Sequence, residues 1–573
     1  MYILYLTMKT PNVLLSLAIL FYSILLAILC PKLRRKDKYT IVVILCILPA
    51  LAAIIHFAIN GKIIFWAYKY LYLESLMPLI LIIPGKKKII QIAESVVSIL
   101  ATFLACAYFI ILATSSPLVH NYTRYSYTDS FKKMMATLEK EYCLNSWKKV
   151  DYDSMLCEYL PKVEEAEKNN DEVAYAAIIN EVTYRFYDSH LYTEMLSPDV
   201  DIKTSEYLAG NDYGLSMIKT DDGKVIAVHV EDVDELIYAE PSGLSDIGIH
   251  NGTEITSWDG SDINEAINDT ECIFPSLQFP VKSNEDVYRP LFLAGKGGEN
   301  VDITFIDDDG KEQSARLKKL GTYNDRLIFS LINLQHSNKG YPNFYYKMID
   351  DKCGYLYIWS EDFDMLSDNI AVIRKGYYPK LVEYYANIIE DLKAQGMEYL
   401  VVDIRNNCGG YDNVAGALTS LFTEEKRDMF SFGYEDESGY HIMENHYIFP
   451  DGRYKDLPVV VLVNNNCVSA GDGMAKFLGD CPNVTLMGIT ASGGVNQNNG
   501  GYIYLTENIC VEYPVFLSLS SDGEPLIDTD YSRINRIPLE ARIPITEESA
   551  LEIFTLDDKD YELDYAVKFL EEH

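Results

Sequence analysis

Tyr399-Leu-Val-Val-Asp-Ile-Arg-Asn-Asn-Cys-Gly-Gly410 and Val459-Val-Val-Leu-Val-Asn-Asn-Asn-Cys-Val-Ser-Ala-Gly-Asp-Gly473 decide the fold of this chain. Each opens on a short apolar run, broken in the first only by Asp403, and then gives way to asparagine and glycine. A strand that is apolar throughout is buried on both faces, as in a largely parallel sheet covered by helices. The neighbouring pattern agrees. Gly354-Tyr-Leu-Tyr-Ile-Trp359 reads as a strand and Tyr378 to Ala394 as an amphipathic helix. From about Asn324 the spacing therefore predicts an α/β core.

Such sheets place their sites where strands end. Gly409-Gly410 can turn backbone N–H groups toward one point, which suits an oxyanion, or can simply make a tight turn. Ser469 lies between an apolar strand and a helix, with the helix N-terminus beneath its hydroxyl. Taken alone it reads as an N-cap more readily than as a nucleophile, and Cys467 replaces the first glycine of a nucleophile elbow. A nucleophilic serine needs a base. His190, in Phe186-Tyr-Asp-Ser-His-Leu-Tyr192, is the most distinctive candidate, because it stands where helical texture turns into β texture.

Working outward, residues 127–185 show three- and four-residue apolar spacing, and the following region shows short β-like runs with a hairpin turn at Asp307-Asp-Asp-Gly310. The start of the chain differs. Four apolar runs, Pro11 to Cys30, Thr40 to Asn60, Ile63 to Pro84 and Ile89 to Thr114, are each long enough to cross a bilayer core of about 30 Å. Lys69 and Glu74 interrupt the third, either as a pair or as part of a polar bundle interior. Lys32-Leu-Arg-Arg-Lys-Asp-Lys38 and Lys86-Lys-Lys88 separate the first run from the second and the third from the fourth. Positive loops stay in the cytoplasm, so four crossings put everything after about residue 116 outside it. Loss of the third crossing would reverse that.

The 573 residues carry a formal charge of −35, which excludes a nucleic-acid partner and an anionic lipid surface for the soluble part. The eleven cysteines form no CxxC pair, so no zinc or other metal site is expected. Eight of them lie beyond the apolar runs and permit either disulfides or free thiols.

Asp188-Ser-His190, Gly243-Leu244 with Gly248 and Trp258-Asp-Gly260, Asp403-Ile-Arg-Asn-Asn-Cys-Gly-Gly410 and Val468-Ser-Ala-Gly-Asp472 occur in that order. In this the chain resembles the tail-specific or carboxy-terminal-processing serine peptidases, tricorn-like branch, over residues 127–573. With the four apolar runs read as transmembrane helices (1–115), the resemblance implies a helical part (116–204), a PDZ-like β domain (205–322) and a crotonase/ClpP-like α/β catalytic core (323–573). In the PDZ-like domain Tyr213-Gly214-Leu215 would be the open edge that takes a peptide as an added strand.

Carboxy-terminal-processing members take their base from a lysine about 25 residues after the serine. Here Gly493 or Gly494 stands in its place, in Gly488-Ile-Thr-Ala-Ser-Gly-Gly-Val-Asn-Gln497, and Lys476 is expected to face away. Tricorn-like members use a Ser-His pair, matched by Ser189-His190. The resemblance therefore implies Ser469 as nucleophile, His190 as base, and Gly409, Gly410 and Ala470 as the oxyanion hole. Asp528, chosen over Glu524, Asp530 and Glu540, would orient the histidine. Substrates would be proteins or peptides, with no cofactor. Two alternatives stay open: an inactive membrane-tethered peptide-binding scaffold, and a crotonase-type acyl-thioester enzyme.

Overall fold

The computed structural model describes residues 2–573 except 35, 37, 61–64, 84–86, 114–117, 231–241, 322, 337–341, 363–377, 437 and 555–558. It divides into two compact units.

The larger unit, Met135–Asn498 with Phe516–His573, is built on a six-stranded sheet. Its order is Ala541–Arg542, Val484–Gly488, Val459–Leu462, Tyr399–Asp403, Cys353–Ile358, Phe344–Met348. All neighbours are parallel except the last pair. The apolar runs lie at the centre and their alternate residues serve two cores. Leu400, Val402, Val459 and Val461 face helices Pro379–Ala394, Asp412–Ser420 and Ala470–Gly479. Val401, Val460 and Leu462 face a second cluster that includes Tyr184, Tyr288, Leu327 and Ala566. Burial on both faces is why no polar residue interrupts Val459–Leu462. Strands Arg427–Asp436 and Gly439–Ile448 form an antiparallel hairpin, and Ser431–Gly433 pairs with Leu517–Leu519.

A smaller apolar cluster joins Tyr213, Leu215, Met217, Trp258, Ile263, Val301, Ile303 and Leu317. Around it lie a four-stranded sheet and the two-stranded pair Ser216–Lys219 and Val225–Val228. These strands lie within residues 216–318. Within that range, however, Cys272, Phe279, Tyr288 and Leu291 pack in the core of the main sheet. The expected peptide edge also differs: Tyr213 and Leu215 are both 1 % exposed and Gly214 is buried. The two side chains are two residues apart, so both point into the cluster, where Tyr213 meets Trp258 edge to face. Its hydroxyl donates to the Gly298 carbonyl at 2.6 Å.

The other unit comprises 1–134 and 499–515. Among the described residues, three helical stretches are long and apolar enough to cross a membrane: Leu14–Arg34, Tyr39–Ala58 and Lys88–Ala107. The third expected run differs, forming an α-helix Phe65–Leu76 followed by a 3₁₀ segment Met77–Ile82. Pro78 enters at the start of that segment, where it lacks the N–H an α-helix would need. Glu74 is fully buried and accepts from Ser16 Oγ at 2.5 Å, whereas Lys69 is exposed and lies over the Tyr70 ring. Of the two options left by the sequence, the polar interior holds for Glu74. Arg34 pairs with Glu94 at 2.7 Å and also donates to the Leu81 carbonyl, while Tyr39 donates to the Ile82 carbonyl. Arg124 donates to the Ala58 carbonyl at 2.8 Å. Strand Leu118–Asn121 pairs in parallel with residues 501–504. All eleven cysteines are free thiols, so the disulfides that the sequence permits do not form.

Candidate active site

The two decisive strands run side by side, with Asp403 opposite Leu462, so their turns emerge together. Asparagine side chains lock those turns to each other. Asn464 Oδ1 accepts the Asn406 N–H at 2.9 Å, and Asn464 and Asn466 both donate to Asn406 Oδ1. The Val468 N–H donates to the Asn407 carbonyl at 2.9 Å. Such amides replace the ladder bonds that end with the strands.

Ser469 has φ 60° and ψ −128° at the start of helix Ala470–Gly479, and its side chain does not cap that helix. A non-glycine residue in this region is strained by about 1–3 kcal/mol and persists only when its surroundings over-determine it. Here its N–H donates to the Val495 carbonyl at 2.9 Å. Its own carbonyl accepts from Gly473 N and Asn496 Nδ2. Ser469 is half-buried, and its Oγ makes no hydrogen bond among the described residues.

Gly409 closes on this residue from the neighbouring turn. Its φ is +87°, and a Cβ placed on it would lie 2.6 Å from Ser469 Cβ and 3.0 Å from Ala470 N. The three expected oxyanion donors are therefore adjacent, but they are not equivalent. The Gly409 N–H is committed to Asn407 Oδ1 at 2.8 Å. The N–H groups of Gly410 and Ala470 make no hydrogen bond among the described residues, the second being an orphan of a helix N-terminus.

His190 follows helix Glu172–Tyr184 and is buried. Asp188 holds the turn: its Oδ1 accepts the His190 N–H at 2.9 Å and its Oδ2 accepts Tyr142 Oη at 2.7 Å. The His190 Nδ1 is buried without a partner. Burial holds the imidazole below its ordinary pKa, with the Asp188 charge acting the other way, so it is neutral at pH 7. No hydrogen bond joins its ring to Ser469 or Asp528 among the described residues. The residues that precede His190 and Ser469 in sequence, Ser189 and Val468, both line one cavity of about 200 Å³.

Asp528, expected to orient His190, instead accepts the Asn496 N–H at 3.1 Å and Gln497 Nε2 at 2.6 Å. It thereby fixes the residue that holds the Ser469 carbonyl. Its other oxygen is buried without a partner. Burial first, and then the charge of Asp188, pushes it up to about 7, while Lys148 opposes the rise. Lys148 is itself buried, donating to the Tyr187 carbonyl and to Thr529 Oγ1, each at 2.9 Å. Sequence reading missed Tyr142, Lys148 and the bonding role of Asp188. Only Asp188, two residues before His190, carries a local signal.

No lysine can occupy the position expected in carboxy-terminal-processing members. A Cβ on Gly493 would lie 2.7 Å from Val468 Cγ1 and 2.9 Å from the Asn465 carbonyl; one on Gly494, at φ +75°, would lie 2.8 Å from Val281 Cγ2. Lys476 pairs with Asp480 at 2.8 Å on the exposed side of its helix.

Residues 353–531 match the family model of peptidase family S41. The carboxy-terminal processing protease CtpA of Bacillus subtilis (strain 168) is 28 % identical over 163 residues, which is 28 % of this chain and 33 % of that one. The match thus spans a third of this curated relative's length. Among solved structures, mature CPAF complexed with lactacystin is 15 % identical, with 78 % of this chain and 97 % of that one covered and a TM-score of 0.44. The photosystem II D1 C-terminal processing protease is also 15 % identical, covering 73 % and 93 %, with a TM-score of 0.30. The two strand-end turns thus meet at a strained serine inside the segment, residues 353–531, that matches peptidase family S41.

Proposed function

We propose that this chain is a membrane-anchored serine endopeptidase acting on proteins or peptides outside the cytoplasm. The observation that carries this reading is the backbone of Ser469, forced to φ 60° at a strand-to-helix junction against Gly409 and the Ala470 N–H. Strain of this kind presents the hydroxyl to a substrate instead of to the helix. In the reaction Ser469 Oγ attacks the scissile carbonyl carbon while His190 takes its proton. The oxyanion is held by the N–H groups of Ala470 and Gly410. Collapse breaks the C–N bond as His190 returns the proton to the leaving amine, and water then hydrolyses the acyl-enzyme by the same route in reverse. Asp188 stabilises the imidazolium through its charge. Asp528 holds Asn496.

The external placement rests on the third apolar run. Its twelve α-helical and six 3₁₀ residues rise about 30 Å, the thickness of a bilayer core. Its far end lies at Arg34 and Tyr39, beside the first basic loop, whereas Ala58, near the end of the second helix, lies at Arg124, after the fourth. This supports four crossings, with both basic loops on one side.

Hydrolysis of unfolded casein by the full-length chain in detergent tests the activity. Wild type is expected to cleave, and Ser469→Ala and His190→Ala to lose cleavage, while Lys476→Ala keeps it. Loss in Lys476→Ala but not in His190→Ala would overturn the assigned base. A silent wild type would favour a tethered peptide-binding scaffold.

A further inference from the structure

Lys148 ends the short helix Asn145–Lys148 and is 8 % exposed, yet among the described residues it forms no ion pair. Its ammonium donates instead to two neutral oxygens, the Tyr187 carbonyl and Thr529 Oγ1, each at 2.9 Å. Burial lowers the pKa of the amine, and the charges of Asp188 and Asp528 act against that. Two neutral acceptors replace only part of the hydration that a buried ammonium gives up, whereas a methionine would fill the same space without that cost. Packing alone therefore does not account for a charge here. The places the two bonds lead to do.

The first bond reaches the turn that delivers His190. Tyr187 has φ 49°, a conformation that a tyrosine keeps only when its surroundings impose it. Three contacts do so. Its N–H donates to the Tyr184 carbonyl at 3.0 Å, its carbonyl accepts from Lys148, and the Arg533 guanidinium lies 3.7 Å over its ring. Asp188 follows directly, and its Oδ1 accepts the His190 N–H. The second bond reaches the segment behind the serine. Thr529 Oγ1 donates in turn to the Pro280 carbonyl, and the Thr529 N–H to the Gly494 carbonyl, both at 3.3 Å. The preceding residue, Asp528, accepts the Asn496 N–H, and Asn496 Nδ2 donates to the Ser469 carbonyl at 2.9 Å. Trp147 adds a bond from its Nε1 to the Asp528 carbonyl at 2.9 Å. One side chain thus links the turn of the base to the segment that holds the nucleophile.

We propose that Lys148 is a positioning residue of the peptidase: its ammonium ties the Tyr187 carbonyl to Thr529 and so fixes the turn carrying His190 relative to the residues that hold Ser469. The proposal rests on the peptidase reading above, with His190 as base. Lys148 takes no part in proton transfer. An ammonium carries three donors about one point, so it serves acceptors from two directions, which an apolar side chain of the same length cannot. Precision at this link matters because a displacement of about 1 Å in a reacting group can cost about a hundredfold in rate.

The test compares wild type, Lys148→Met, Thr529→Val and the double variant, each as the full-length chain in detergent, on internally quenched casein peptides, with folding checked by melting temperature. Thr529→Val removes the acceptor at the other end of the same bond and keeps the branched shape. Each single variant is expected to lower kcat about tenfold or more while KM stays close to wild type, and to slow fluorophosphonate labelling of Ser469 in parallel. The double variant is expected to match the worse single one, because both changes cut one link. A smaller loss of kcat in folded Lys148→Met would overturn the proposal, as would losses that multiply in the double variant, the mark of two separate packing defects. If Lys148→Met does not fold, kcat and KM of Thr529→Val decide by the same threshold. The two levels separate. Cleavage that is lost in His190→Ala but kept in Lys148→Met sinks the positioning role and leaves the peptidase; wild type that neither labels nor cleaves sinks both.

Discussion

At position 409 a single methyl group would press on Ser469 and on the Ala470 N–H, one of the proposed oxyanion donors. Gly409→Ala would put a Cβ 2.6 Å from Ser469 Cβ at a φ that alanine resists. Loss of oxyanion geometry costs about 10²–10³ in kcat, so steady-state kinetics on this variant should show at least a hundredfold fall. Near-wild-type kcat would mean that Gly409 only turns the chain. The histidine gives a second expectation. Burial keeps His190 below the ordinary imidazole value and the Asp188 charge raises it. A base works when unprotonated, so the acid limb of kcat/KM should lie below pH 6.5. Asp188→Asn should shift it to still lower pH, whereas Asp528→Asn should not. A limb that follows Asp528 instead would make Asp528 the partner of the histidine. Ser469, Gly409 and Gly410 were legible because each sits in a local turn pattern. Tyr142 and Lys148 were not, because they meet the site through contacts 46 and 381 residues away in sequence, which no local spacing records.

Among the elements, the strands were easiest to foresee and the third apolar run the hardest. Val459–Leu462 is apolar because both of its faces are covered, and continuous apolarity is visible without a fold. Tyr213-Gly214-Leu215 has the same β-like look, yet its alternation serves a small core instead of an open edge. Hydropathy likewise measures Ile63 to Pro84 as a span but cannot see that Phe65–Leu76 tightens into 3₁₀ geometry at Met77. Because a 3₁₀ residue rises about 2.0 Å against 1.5 Å, Phe65–Leu76 and Met77–Ile82 together still measure about 30 Å in length. A reporter enzyme active only outside the cytoplasm should therefore work when fused after residue 61 or 116, and fail when fused after residue 87. Activity after residue 87 would remove the third crossing and reverse the side of the catalytic part.

For the molecule as a whole, burial of carboxyl groups around the site sets how stability varies with pH. Burial pushes Glu361 and Asp472 up to about 8, Asp528 to about 7 and Asp412 to about 6. Unfolded carboxyls titrate near 4, so between pH 4 and 8 the folded chain holds more protons than the unfolded one. Stability then falls as pH rises through that window. The melting temperature should drop from pH 5 to pH 8.5, and Asp472→Asn should flatten the slope. A melting temperature that climbs with pH would show these groups ionised in the fold. Such a carboxyl set suits a protein whose −35 charge already favours mildly acidic conditions through lower self-repulsion.

If Ser469 is a nucleophile activated by His190, it can be trapped covalently. The full-length chain is treated with a fluorophosphonate and the modified peptide identified by mass spectrometry. One adduct on the peptide containing Ser469 is predicted, formed by wild type, absent in Ser469→Ala and strongly slowed in His190→Ala. An adduct on another residue, or an unmodified Ser469 in folded protein, would contradict the account.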